Sequence, residues 1–267
     1  MCRHLAYLGP PATIQALVLD PPCGLAQQAW APRQQRNGTM NVDGFGAGWY
    51  ADGDPVPARY RRPGPIWADP CFADLARVTR TRALLAAVRS ATEGTEHGVG
   101  ATAPYREGRW LFSHNGTLNG WPTAAAVLAA SLPAADLLAL EARCDSALVW
   151  ALVASRLRAE AAPADALAGV IADFASHRLT GRFNFLLTDG EVIVATAAGD
   201  TLCYRTGHPA GPGVVVASEP GDDEPGWIHV PDGSVLTATP GAVDVRPLPA
   251  TVPPPAAEPE EGRTPAP

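Results

Sequence analysis

Between residues 182 and 239 the chain repeats one local pattern: a short run rich in apolar, β-branched and aromatic residues, then a turn. The runs are 182–188, 191–197, 201–206, 213–217 and 234–239. Asp189-Gly190 separates the first two, and Asp-Gly is a strong hairpin signal because glycine accepts the positive φ that tight turns demand. Strands joined by connections this short pair antiparallel, since a parallel return needs a crossover of a dozen or more residues. The pattern therefore predicts an antiparallel meander with at least one face covered.

The cover precedes it. Leu137, Leu140, Cys144, Leu148, Ala151, Leu152 and Leu157 recur at helical spacing. They predict one long helix over 136–160, with Asp145 near its middle, and a second follows from Pro163 to Phe174. Nearer the N-terminus, 3–8 reads as a strand stopped by Gly9-Pro10-Pro11, and 12–19 as a short helix ended by Asp20-Pro21-Pro22. Residues 44–50 and 57–62 read as paired strands around Ala51-Asp52-Gly53-Asp54. Asp74 to Ala87 reads as helical, turning strand-like toward Arg89. Trp110 to Ser113 reads as a buried strand that runs into a His114-Asn115-Gly116 loop. Helices packed on antiparallel sheet make the fold class α+β. One domain is expected over 2–247. Residues 248–267, rich in Pro and Glu, carry too few large apolar groups to bury a core and are expected to be a disordered tail.

Composition removes several function classes. All 20 basic residues are arginine, so the chain has no lysine for Schiff-base, P-loop or Ser-Lys chemistry. The net charge is −7, and the short Arg59-Tyr60-Arg61-Arg62 is the sole basic run, so a nucleic-acid partner is not expected. The five cysteines are scattered without a C-x-x-C pair, which suits reduced thiols in a cytoplasmic protein better than a disulfide framework. No stretch of 18 apolar residues predicts a membrane span, and the apolar 5–19 segment is broken at Gly9-Pro10-Pro11, unlike a signal peptide. His4, His97, His177, His208 and His229 do not cluster at metal spacings.

Five segments carry candidate chemistry. Cys2 follows the initiator methionine; once Met1 is removed, one residue holds a thiol and an α-amine of pKa about 7.7–8.0, a base beside its own nucleophile. Asn41-Val42-Asp43-Gly44-Phe45-Gly46-Ala47-Gly48-Trp49-Tyr50 alternates three glycines along a strand, which implies a group approaching its backbone closely or a bulged strand. Arg89 ends an apolar strand before Ser90-Ala91-Thr92, as a surface ion pair or a fork for a carboxylate. Asn115-Gly116 is a simple turn or a pair of N–H donors for an oxyanion. Asp145 faces solvent or holds an ammonium.

In this order, Met-Cys-Arg, N-x-D-G-x-G-x-G-W-Y, R-x-x-T, H-N-G and D-S resemble the class II glutamine amidotransferase branch of the N-terminal nucleophile hydrolases, over roughly residues 2–240. Ala217-Ser218-Glu219-Pro220 and Pro225-Gly226-Trp227 resemble the family's C-terminal loop. The resemblance implies a four-layer αββα sandwich. It implies Cys2 as nucleophile with its α-amine as base, and Asn115 and Gly116 as the oxyanion hole. Arg89, helped by Thr92, would bind the α-carboxylate of a γ-glutamyl group. Asp145, with the Gly116 carbonyl, would bind its α-ammonium. His114 is expected to orient its surroundings rather than to act. The substrate would be a small γ-glutamyl compound, with no metal or organic cofactor required. No synthase segment follows, so a free-standing amidohydrolase of a thiol-histidine pathway is expected. The alternatives are a glutaminase subunit feeding ammonia to a partner synthase, and an inactive scaffold if Met1 is retained. Oligomeric state is left open.

Overall fold

The computed structural model describes residues 2–208 and 210–249. Met1 and the greater part of the expected tail, 250–267, lie outside the described residues.

Thirteen strands among the described residues form two antiparallel sheets. They are β1 (Cys2–Thr13), β2 (Gly44–Trp49), β3 (Ala58–Arg62), β4 (Arg80–Arg89), β5 (Tyr105–Glu107), β6 (Trp110–Leu118), β7 (Gly181–Thr188), β8 (Ile193–Ala197), β9 (Cys203–His208), β10 (Gly211–Ala217), β11 (Ile228–His229), β12 (Ser234–Thr239) and β13 (Ala242–Pro247). The first sheet runs β11-β9-β10-β1-β4-β2-β3 and the second β13-β12-β8-β7-β6-β5. The helices of eight residues or more are α1 (Pro70–Val78), α2 (Asp145–Arg158) and α3 (Pro163–Ser176).

Three apolar layers hold these parts together. The sheets face each other through Ala6, Leu8, Leu85, Leu111, Leu186 and Leu236. Helices α2 and α3 cover the second sheet through Val149, Val153, Leu167, Phe174, Phe112 and Phe185, with Phe112 stacked on Trp150 at 5.2 Å between ring centroids. Full burial of each such ring stabilises the fold by up to about 3 kcal/mol. Helix α1 and the turns around Gln15–Leu19 and Leu25–Gln28 cover the first sheet through Ile14, Val18, Phe72 and Phe45. The order is helix, sheet, sheet, helix, the αββα sandwich.

The β2–β3 pair, α3 and the five later strands form where the pattern predicts, but those strands are not one meander: β7 and β8 pair in the second sheet, β9 and β10 pair in the first, and β12 returns to pair with β8. Gly190 takes φ 93° in the β7–β8 turn, while Asp189 Oδ1 accepts the Glu191 and Val192 N–H groups at 3.0 Å each. The alternating glycines are also explained. A Cβ at Gly46 would run into the Ala103 carbonyl, and one at Gly48 would lie 2.7 Å from a Leu111 methyl, so the 102–111 segment is what approaches the strand.

Four local expectations are corrected. Strand β1 continues through Gly9-Pro10-Pro11 to Thr13, with a register shift between Leu8 and Ala12 that absorbs the prolines. The segment 12–19 contributes only a single wide turn at Gln15–Leu19. The helix expected over 74–87 ends at Val78, and Arg80–Arg89 is the central strand β4; tertiary pairing on both edges overrides its helix-favouring alanines and leucines. The helix expected over 136–160 begins at Asp145, because Cys144 is extended at φ −145° and ψ 159°. Leu137 and Leu140 still pack against the helix-side core, but on and just after a separate short turn at Ala134–Leu138 that leaves Leu138 89% exposed.

Candidate active site

The ends of three strands meet at one edge of the first sheet. Cys2 of β1 stands opposite Arg89 of β4, and Arg89 stands opposite Gly44 of β2. The second sheet brings β6 against this edge. Along β6, side chains alternate: Phe112 and His114 turn toward the helices, and Ser113 and Asn115 toward the first sheet. The expected His114-Asn115-Gly116 loop is therefore the interior of a strand. The Asn-Gly turn signal yields to pairing with β7, where Asn115 opposes Asn184 and Gly116 opposes Phe183.

That alternation aims Asn115 at Cys2. The Cys2 backbone nitrogen donates to Asn115 Oδ1 at 3.3 Å. Asn115 Nδ2 donates to Ser218 Oγ at 3.3 Å, and Ser218 Oγ also accepts the His4 N–H at 3.0 Å. The carboxamide is held at both ends, with one Nδ2 hydrogen left over. Cys2 Sγ lies 3.9 Å from the Ser90 carbonyl oxygen.

Arg89 is 7% exposed. Its Nη2 donates to Thr95 Oγ1 at 3.2 Å and to the Glu96 carbonyl at 3.0 Å. Its Nη1 is buried with no partner, an arrangement that leaves a charged donor uncompensated unless an anion arrives. A cleft beside it is lined by Cys2, Arg89, Ala101, Tyr105, His114 and Ser146. Thr92 acts through its backbone: its carbonyl accepts the Thr95 N–H and hydroxyl, and Thr95, not Thr92, touches the guanidinium.

Asp145 is buried, at the first turn of α2, where a carboxylate is stabilised by the helix N-terminus. Its Oδ2 accepts the Leu118 N–H at 3.0 Å and its Oδ1 the Ser146 N–H at 2.8 Å. Among the described residues no cation pairs with it. Ser146, beside it, lines the cleft and bonds His114 Nδ1 at 3.1 Å. His114 Nε2 lies 2.9 Å from the Arg182 carbonyl. A carbonyl only accepts, so Nε2 carries the proton and Nδ1 accepts from the serine. Burial holds the His114 pKa below its usual value, which keeps the ring neutral. His114 thus braces β6 against α2, as expected of a positioning group.

Gly116 sits where no side chain is tolerated. A Cβ there would overlap the Arg182 carbonyl and stand 2.5 Å from His114 Nε2. The structure brings Cys2, Arg89, Asn115 and Gly116 to one locus, with Asp145 one residue from the cleft. Sequence reasoning missed Thr95, where the neighbouring Thr92 was named instead, and the roles of Ser146 and Ser218, whose contacts with His114 and Asn115 join residues 32 and 103 positions apart. Among the described residues no group of three or more His, Cys, Asp or Glu could hold a metal ion, and no helix is long and apolar enough to cross a membrane.

This arrangement has counterparts. The family model of class II glutamine amidotransferases matches residues 16–211. The γ-glutamyl-hercynylcysteine sulfoxide hydrolase of Mycolicibacterium smegmatis is 43% identical over 248 residues, covering 93% of this chain and 100% of that protein. The hydrolase of the same name from Mycobacterium tuberculosis is 41% identical over 239 residues, covering 90% and 93%. Among solved structures, a glutamine aminotransferase class-II domain protein from Silicibacter pomeroyi shares the fold with a TM-score of 0.68 at 24% identity, over 93% of this chain and 100% of that one. Glutamine phosphoribosylpyrophosphate amidotransferase from B. subtilis shares it with a TM-score of 0.64 at 15% identity, over 93% of this chain and 49% of that one. With an N-terminal cysteine set against an Asn-Gly strand and a buried arginine, on this fold and at this identity, the chain belongs to the class II glutamine amidotransferases.

Proposed function

We propose that this chain is an amidohydrolase that removes the γ-glutamyl group of γ-glutamyl-hercynylcysteine sulfoxide and releases glutamate. The observation that carries the reading is the unpartnered, buried Arg89 Nη1 on the strand directly opposite Cys2. A γ-glutamyl head is a zwitterion; it needs one cation and one anion, and Arg89 and Asp145 are both buried and without an ion-pair partner among the described residues. The named activity of the two mycobacterial relatives supports the same substrate. The place of the reaction in ergothioneine biosynthesis, and in the cytoplasm, is part of this proposal.

The chemistry follows from the groups at hand. Removal of Met1 frees the Cys2 α-amine. The amine takes the thiol proton as sulfur attacks the γ-carbonyl carbon. The carbonyl oxygen becomes an oxyanion, met by the remaining Asn115 Nδ2 hydrogen and the Gly116 N–H. The ammonium returns its proton to the departing nitrogen, and the C–N bond breaks to leave a γ-glutamyl thioester on Cys2. Water, deprotonated by the amine, attacks the thioester; the C–S bond breaks, the thiol recovers its proton and glutamate leaves. Arg89 and Asp145 hold the head group throughout and take no part in proton transfer.

The test is incubation with a panel of γ-glutamyl amides, including glutamine and γ-glutamyl-hercynylcysteine sulfoxide, with glutamate release as the readout. The sulfoxide should be the best substrate, and Cys2→Ala should abolish turnover on all of them. Turnover of glutamine alone would favour an ammonia-supplying subunit. Retention of Met1 in the active protein, read by intact mass, would overturn the amine as base.

A further inference from the structure

One side of Cys2 is unassigned by this mechanism. In the first sheet β1 lies between β4 and β10. Arg89 stands on the β4 side. On the β10 side the strand ends at Ala217, and Ser218 and Glu219 follow. A γ-glutamyl group held by Arg89 at its head and by Cys2 at its carbonyl would present its amide nitrogen away from β4, on the side where β10 ends.

Glu219 is 1% exposed there. Its Oε1 accepts the Arg33 N–H at 3.0 Å and its Oε2 the Gln34 N–H at 2.5 Å. Two charge-assisted bonds on a buried carboxylate make a firm anchor. From Gln34 the chain returns to β2 at Asp43, whose N–H donates to the Arg89 carbonyl at 2.9 Å and whose Oδ2 accepts the Ala91 N–H at 2.7 Å. Strands β10 and β2 are three positions apart, about 14 Å at the usual strand spacing. Glu219 and Asp43 thus fix the two ends of the segment on either side of the ends of β1 and β4, and buried Asn41 is pinned between them by donating to the Ala29 carbonyl at 2.6 Å and the Gln28 carbonyl at 2.8 Å.

We propose that residues 33–43 form the leaving-group side of the site, and that Glu219 is the positioning residue that holds them there. The selected substrates are γ-glutamyl amides whose amine is itself an amino acid. Such an amine carries a carboxylate beside the scissile nitrogen. The loop answers with Arg33 and Arg36 and has no acidic residue before Asp43; Arg36 makes no ion pair among the described residues, while Arg33 pairs with Asp223 at 2.8 Å at the surface. This inference rests on the γ-glutamyl reading above.

The experiment compares turnover of γ-glutamyl-S-methylcysteine with the rate at which Cys2 is alkylated by a γ-glutamyl chloromethyl ketone, which has the head group and no departing amine. In Glu219→Gln the carboxamide retains one acceptor and turns an N–H toward the other backbone N–H. kcat/KM for the amide should fall about tenfold or more while the alkylation rate stays within about twofold of wild type. A second variant, Arg36→Gly with Asn37→Gly and Thr39→Gly, alters only exposed positions, keeps every anchor and should show the same selective loss. Parallel losses in both readouts, or no loss in either, would overturn the subsite. A wild-type protein that is alkylated but cleaves no γ-glutamyl amino acid overturns the substrate class, and the subsite with it.

Discussion

Cys2 and Arg89 face each other across the β1–β4 ladder, so the sulfur and the guanidinium are fixed by main-chain register rather than by a flexible loop. With two of its contacts spent on Thr95 and Glu96, Arg89 keeps one nitrogen without a partner. Arg89→Ala should therefore raise KM for a γ-glutamyl substrate by about 10- to 100-fold, the worth of one or two charge-assisted bonds, and change kcat less. Arg89→Lys should recover only part of the loss, since a point charge does not reproduce the fork. Steady-state kinetics on both variants decide it; an unchanged KM in Arg89→Ala would leave the arginine a structural role alone.

The absence of lysine makes the base testable. After Met1 removal the Cys2 α-amine is the sole primary amine in the sequence. An amine-selective acylating reagent, applied with the thiol reversibly blocked, should add one group per chain, at Cys2. Activity after unblocking should fall in proportion to its incorporation. Peptide mapping locates the adduct, and full activity in the monoacylated protein would exclude the amine as base.

Gly116→Ala should cost stability as well as activity. The new methyl would press on the Arg182 carbonyl and on His114, and both belong to the β6–β7 core, so neither yields easily. A loss of about 1–3 kcal/mol or more is expected, read as a lowered midpoint in denaturant. An unperturbed midpoint would mean that β6 and β7 separate there without penalty.

His4 should give the fold a pH dependence. It is fully buried, with Nδ1 3.2 Å from Ser113 Oγ and Nε2 unpartnered. Burial first, then Arg3 and His114, lower its pKa to about 3 from 6.5. The unfolded chain binds a proton near pH 6.5 that the folded chain refuses until about pH 3. Stability from this group is thus complete above pH 6.5 and declines as pH falls toward 3, by about 4–5 kcal/mol in total. The difference between wild type and His4→Gln, followed from pH 7 to pH 4 in denaturant, should shrink steadily. A constant difference would rule out the histidine as the source.

The repeated strand pattern and Asp189-Gly190 were enough to place the later strands and the β7–β8 hairpin, because hairpin chemistry is local; the passage of β9 and β10 to the other sheet was not legible, because packing decides it. The glycines of β2 announced a close approach, because only a missing Cβ lets a backbone and the 102–111 segment meet. Position along the chain also marked Cys2, Arg89, Asn115 and Asp145 as candidates. The local pattern misplaces two of them: Asn115 is expected in a loop and Asp145 in mid-helix, and they lie inside a strand and at a helix start, while Arg89 ends a strand as expected, a strand that replaces most of the helix expected before it. In each case a local preference lost to pairing or packing supplied from elsewhere in the chain.

Composition and local pattern established which chemical groups the protein owns and that they sit on an α+β frame. The tertiary structure decided their relations: Cys2 opposite Arg89, Asn115 held between Cys2 and Ser218, and Glu219 fastened to Arg33 and Gln34. Those relations join residues that are from 87 to 186 positions apart. Local propensity carries no information over such distances. Strand register and side-chain alternation across two sheets do, because a one-residue slip would turn every one of these groups to the opposite face.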